Sequence, residues 1–151
     1  AFDLSYRPAD SIERLRIGTP SIAAFSLLSA ALDIWDHVDM NDLRARSIEL
    51  SELFISEVEK RCKGLTLASP RDAEQRGSHV SFEFEHGFAC MQALIAEKVI
   101  GDFRAPNIMR FGIAPLFNDE TDILRAVSKL EDILNNETWK EERFQHRGLV
   151  T

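Results

Sequence analysis

The chain has 151 residues, 44% of them hydrophobic, with 18 Lys+Arg against 25 Asp+Glu and a formal net charge of −7. That length suits one compact domain, or one domain with an attached arm, and excludes a large two-domain enzyme. The acidic balance argues against a nucleic-acid binder, which needs a basic surface for phosphate contacts, and no stretch approaches the ~20 apolar residues of a membrane-spanning helix.

Residues 1–20 show little periodicity and contain "YRPADS" and "RIGTPS", which predicts an extended, irregular lead-in segment. The opening "AFDLSYRPAD" lacks the charged-then-apolar layout of a signal peptide, so a cytoplasmic location is expected. Over residues 21–38, Ile22, Phe25, Leu28, Leu32 and Trp35 recur at helical spacing, with Pro20 and Ser21 near the start. Ala23, Ala24, Ser26, Ser29, Ala30 and Ala31 are small and the helix is apolar over more than one face. It is therefore expected to be buried between layers or in an oligomer interface.

Residues 39–151 are expected to form a small C-terminal domain. Asn41 looks like an N-cap with Asp42 in the first turn, and Leu43, Ser47, Leu50, Phe54, Val58 and Arg61 mark one side of a long helix that Gly64 ends. "LTLAS" predicts a short strand, "PRDAEQRG" a polar connection, and "SHVSFEFEH" a strand with one solvated face, because Val80, Phe82 and Phe84 alternate with His79, Ser81, Glu83 and Glu85. "GFACMQALIAEK" sets Phe88, Met91, Leu94 and Ile95 on one helical side, "VIGDF" is a short extended piece, and "NIMRFGIA" is a strand closed by Pro115. Asn118 or Asp119 caps a helix with core stripe Ile123, Val127, Leu130 and Leu134, and the polar tail holds a helical turn anchored by Trp139 and Phe144. Hairpin-linked strands with helices on one face define an α+β fold with a small antiparallel or mixed sheet.

Arg110 stands in an otherwise apolar strand, six residues after Arg104. One reading puts it on the outer face of a half-exposed strand, its stem over apolar neighbours and its head in water. The other is a bidentate carboxylate clamp, since a guanidinium presents parallel donors in a fork that matches a carboxylate. Thr19, in "RIGTP", either caps the helix that follows or offers its hydroxyl and N–H to an anion. His79 reads as a strand-surface histidine, and "NDETD" as a helix N-terminus and not a metal site. Cys62 and Cys90 are isolated, no two histidines stand three or four apart, and no metal site follows from spacing.

"YRPADSIERLRIGTPSI", "MNDLRARSIELSELFI", "RGSHVSFEFEHGFACMQALI", "VIGDFRAPNIMRFGIAPLF" and "TWKEERFQHRGLV" together resemble the C-terminal third of bacterial kynureninases, in order and over nearly the whole chain. "RGSHVSF" and "GDFRAPNIMRFGIAPLF" carry the family specificity, whereas "GTP" before a helix is shared more widely among pyridoxal-phosphate enzymes of the aminotransferase-like fold. The resemblance implies the C-terminal domain of such a fold, in a cytoplasmic homodimeric hydrolase that uses pyridoxal 5′-phosphate. Such an enzyme splits L-kynurenine or 3-hydroxykynurenine into anthranilate or 3-hydroxyanthranilate and L-alanine, in tryptophan catabolism and NAD biosynthesis.

By the matching motifs, Arg110 would hold the substrate α-carboxylate, and Thr19 would reach a cofactor phosphate of the neighbouring subunit. A large cofactor domain with the Schiff-base lysine is expected to precede residue 1. Lys60, Lys63, Lys98, Lys129 and Lys140 all fall on predicted exposed helix faces or ends, so no catalytic residue is assigned within the chain, which alone is expected to be inactive. With no substrate to hold, Arg110 is expected to be exposed or borrowed by a nearby acid or a solvent anion. The alternative is a stand-alone, non-catalytic α+β binding module.

Overall fold

The computed structural model describes residues 5, 7–16 and 18–146, and the chain divides into two compact units, Ala1–Asp39 and Met40–Thr151. In the first unit a 3₁₀ turn, Ser11–Leu15, interrupts the segment expected to be wholly extended. Helix α1 (Ile22–Leu32) starts where Ser21 accepts the Ala24 N–H at 3.3 Å, which satisfies one of the otherwise orphan first-turn donors. The helix expected to run to residue 38 instead tightens into a 3₁₀ turn, Asp33–His37. Such a tightening is a common way for a helix to end, and here it coincides with a shift from small and apolar residues to Asp33 and Asp36. No residue of α1 is buried within its unit.

The second unit opens with α2 (Met40–Arg61), in which Asn41 lies inside the helix and not at its cap; Asp39, also a capping residue type, precedes the first turn. Ser47, Leu50, Ser51, Phe54, Ile55 and Val58 form its buried side, and Gly64 takes the left-handed φ of 88° just beyond its end. Strands β1 (Thr66–Leu67), β2 (His79–Glu83), β3 (Asp102–Arg104) and β4 (Ile108–Gly112) make one antiparallel sheet in the order β1-β2-β4-β3. Between β1 and β2 the polar connection holds a 3₁₀ turn, Ala73–Gln75, clasped to α2. Arg44 donates to the carbonyls of Ala73 and Arg76, and the buried Arg76 side chain reaches Ser51 Oγ and Glu52.

Helix α3 (Gly87–Ala96) and α4 (Glu120–Asn135) complete the core, followed by α5 (Glu142–Gln145), which buries Phe144. A capping box starts α4, with the Asp119 side chain on the Asp122 N–H and the Asp122 side chain on the Asp119 N–H. Its buried stripe is Ile123, Val127, Leu130 and Ile133, so the expected Leu134 is displaced by one position to the edge. On α3, Cys90, Met91 and Leu94 are buried with Ala89 and Ala93, while Ile95 faces outward, against expectation. At Gly87 an added Cβ would stand 3.2 Å from Met109 Cγ, so the helix sits close to the sheet there, while Ala93 lies with Ile133 and Phe144 beside α4 and α5. Trp139 stacks on His86 with ring centroids 4.1 Å apart and meets Phe84 edge-on at 5.8 Å, anchoring the tail.

Strand alternation divides the sheet into two faces. Val80, Phe82, Phe103, Met109 and Phe111 point to the helices, where Phe54 of α2 lies 6.0 Å from Phe82 and 5.0 Å from Phe111, and Phe88 of α3 lies 5.6 Å from Phe103. Helices therefore pack on one face, as the pattern predicts. The opposite face carries His79, Ser81, Glu83, Asp102, Arg104 and Arg110. It is not uniformly solvated: Ser81 is buried, because its N–H bonds Ser69 Oγ and its carbonyl takes the N–H groups of Ala68 and Ser69, which brings residues 68–69 alongside it.

Candidate functional site

β4 is a central strand, paired on both edges, and its register sets three residues in a row across the helix-free face: Ser81 on β2, Arg110 on β4, Asp102 on β3. Cross-strand partners of this kind have adjacent side chains on the same face. Arg110 Nε donates to Asp102 Oδ2 at 3.1 Å, and Nη2 donates to the same oxygen. The Arg104 Nη2 lies 3.2 Å from that oxygen as well. Two guanidinium groups thus share one carboxylate, and the cluster keeps a net charge of +1.

The Arg110 side chain is 35% exposed and lies on the helix-free face of its strand. Its guanidinium is borrowed by a nearby acid, one of the arrangements expected from the sequence. The hydrogen bond from Arg110 is the main cause that holds the Asp102 carboxyl below its ordinary range; the charges of Arg104 and Arg110 and a backbone bond at Phe103 add to it, and burial opposes it. Asp102 is therefore ionised at neutral pH. Among the described residues Nη1 of Arg110 has no hydrogen-bond partner, so the Nη1/Nη2 edge retains donors for an anion.

A recess beside the pair is lined by His79, Ile100, Gly101, Asp102, Arg110 and Gly112. Gly101 is there for close approach, because a Cβ on it would stand 2.8 Å from the Arg110 carbonyl oxygen and 2.7 Å from Met91 Cε. His79, expected to be an ordinary surface residue, contributes to the wall of the recess. Asp102 is the residue that sequence reasoning missed. The signal for it was available in "GDFR…IMRFG": an acid on a strand that a tight turn folds back against the arginine strand.

Thr19 belongs to the other unit. It is exposed, two residues before the N-cap of α1, and Ser21 fills the capping role, which leaves the Thr19 hydroxyl outside the helix cap. The five lysines are all exposed or half-exposed, with Lys60 3.6 Å from Glu57, Lys129 2.8 Å from Glu97 and Lys140 2.5 Å from Glu137. None is a desolvated amine of the kind that serves as a nucleophile. Cys62 and Cys90 are both buried free thiols, and desolvation pushes them up to about 11 and about 12. Among the described residues no group of three or more His, Cys, Asp or Glu is arranged to hold a metal ion, and no helix is long and apolar enough to cross a membrane.

Residues 43–130 match the family model of the kynureninase C-terminal domain. Over 153 aligned positions the chain is 44% identical to a kynureninase of Pseudomonas fluorescens and 42% identical to a kynureninase of Burkholderia mallei (strain SAVP1), each time covering 100% of this chain and 37% of the relative. The chain thus spans somewhat over a third of the length of the curated relatives it matches. Among solved structures, a NifS-like protein superposes with a TM-score of 0.68 at 18% identity, covering 83% of this chain and 37% of that one. That likeness is one of fold, and it agrees with the α+β, aminotransferase-like architecture expected from the sequence.

Proposed function

The chain belongs to the kynureninase family as its C-terminal domain, and from that premise we propose that it supplies the substrate-carboxylate clamp of an enzyme hydrolysing L-kynurenine or 3-hydroxykynurenine. The products would be anthranilate or its 3-hydroxy form and L-alanine, in tryptophan catabolism and NAD biosynthesis. The observation that carries the proposal is Arg110 on the helix-free sheet face with its Nη1/Nη2 edge unbonded. A guanidinium in that setting can take a carboxylate bidentately, and in the proposed role it orients the α-carbon of the amino-acid substrate.

Pyridoxal 5′-phosphate, when bound, supplies the electron sink for cleavage of the Cβ–Cγ bond. The point of this chain proposed to meet the cofactor is the exposed Thr19 hydroxyl, which would bond a phosphate of the neighbouring subunit in a homodimer. With every lysine exposed or partly exposed, and three of them near carboxylates, the covalent anchor is assigned to a separate, large cofactor domain. The 151-residue chain by itself is proposed to turn over no kynurenine, and the whole enzyme to work in the cytoplasm.

The test is kinetic, on the longer protein that carries this domain. Arg110→Ala is expected to raise KM for L-kynurenine by a factor worth about 2–5 kcal/mol, the range for losing one partner of a buried, hydrogen-bonded charge pair. Unchanged kinetics would remove the clamp role, and absence of turnover by the folded, cofactor-loaded longer protein would favour a non-catalytic binding module.

A further inference from the structure

We propose that Asp102 is the positioning residue of the carboxylate clamp: it holds the Nε/Nη2 edge of Arg110 and so presents the opposite Nη1/Nη2 edge as a preformed fork. The inference rests on the assignment of Arg110 to the substrate carboxylate.

A guanidinium has two edges that can take a carboxylate, one made of Nε with one Nη and one made of both Nη groups. In this protein Asp102 uses the first: Nε donates at 3.1 Å and Nη2 donates to the same Oδ2. The second edge stays open. Were Asp102 a stand-in for the substrate, seated where the ligand goes, its removal would improve binding. The geometry points the other way, because Asp102 is held in place independently of any ligand. It is the ladder partner of Arg110 in the β3–β4 pairing, and Arg104 holds its Oδ2 from the side at 3.2 Å.

Charge leads to the same conclusion. Arg104, Asp102 and Arg110 sum to +1, so the cluster still attracts one carboxylate after the internal pair has formed. An isolated arginine on a strand's outer face samples many rotamers and gives up that freedom when it binds; one already fixed along its inner edge gives up less. Asp102 therefore acts through Arg110 and touches no reacting atom.

The experiment uses the longer enzyme with L-kynurenine and its carboxamide as paired substrates. Asp102→Asn is expected to raise KM for L-kynurenine about tenfold while kcat stays within about twofold, the split that marks carboxylate binding lost equally from ground state and transition state. For the carboxamide, which presents no anion to the fork, kcat/KM is expected to change by less than about twofold. Asp102→Glu, which keeps the charge, should recover part of the loss. A fall in KM for Asp102→Asn would show that Asp102 competes for the fork, and an equal loss for both substrates would reduce it to structural support; either result overturns the proposal. Arg110→Ala separates the two levels. If it raises KM while Asp102→Asn does nothing, only the positioning role is wrong; if it too does nothing, the clamp assignment falls and the proposal with it.

Discussion

Arg46 on α2 grips Glu120, the first residue of α4, through two parallel bonds, Nη1 to Oε1 at 2.7 Å and Nη2 to Oε2 at 2.6 Å. The pair ties the start of α4 to a helix 74 positions earlier in sequence, at the end of the domain where the capping box also sits.

Acid should loosen that end. The Arg46 hydrogen bonds are the largest cause that lowers the Glu120 carboxyl from its ordinary 4.5 to about 2, with a backbone bond second. A carboxylate lowered in the folded state contributes stability above its unfolded pKa and loses that contribution as pH falls through the folded value. Stability is therefore expected to decline between about pH 4.5 and pH 2, and Glu120→Gln should flatten that part of the curve while lowering stability at pH 7. Urea denaturation at stepped pH measures it; an unchanged acid limb in the variant would show the pair contributes nothing there.

Cysteine chemistry should be silent in the native chain. Cys62 and Cys90 are buried free thiols raised to about 11 and about 12 by desolvation, and the thiolate is the reactive form. Ellman's reagent at pH 8 is expected to label neither cysteine under native conditions and both in guanidinium chloride. Rapid native labelling of either would contradict their burial.

Gly101→Ala should destabilise the chain and disturb the clamp together. The added Cβ would overlap the Arg110 carbonyl oxygen, which is backbone of a doubly paired strand and cannot swing aside, so β3 must shift. Overpacking of this kind costs about 1–3 kcal/mol. A lower melting temperature by calorimetry is expected, and a melting temperature equal to the parent's would refute the close-packing account.

Phe54→Ala addresses the core. Phe54 is buried against Phe82 and Phe111, at centroid distances of 6.0 and 5.0 Å, and truncating a buried phenylalanine costs about 3–5 kcal/mol. Chemical denaturation should show a lower midpoint with a similar slope.

Local signals in the sequence were enough to find most elements of the second unit. Phe82 and its alternating neighbours announce β2, and "NDETD" announces the capped start of α4. What escaped depends on contacts distant in sequence. Ser81 looks solvent-facing from its strand period alone and is buried because residues 68–69 pair beside it. Ile95 fits a helical stripe and yet faces out, while Ala89 and Ala93, on another side of α3, are buried. Arg110 was legible as an oddity in an apolar run, whereas its partner was not: Asp102 becomes its neighbour only once β3 and β4 pair in one register out of several.

That register has a consequence for how the chain can vary. Between Arg104 and Ile108 only three residues turn the chain, and they determine that Asp102 stands opposite Arg110 and not opposite Met109 or Phe111. Because strand side chains alternate, a slip of β3 by one position would swing Asp102 toward the helices and carry Phe103 out to water. The length of this turn is thus as much a component of the Arg104–Asp102–Arg110 cluster as the guanidinium groups are. A single residue inserted within "APN" that slips the register would leave every side chain of the cluster present and take the cluster apart.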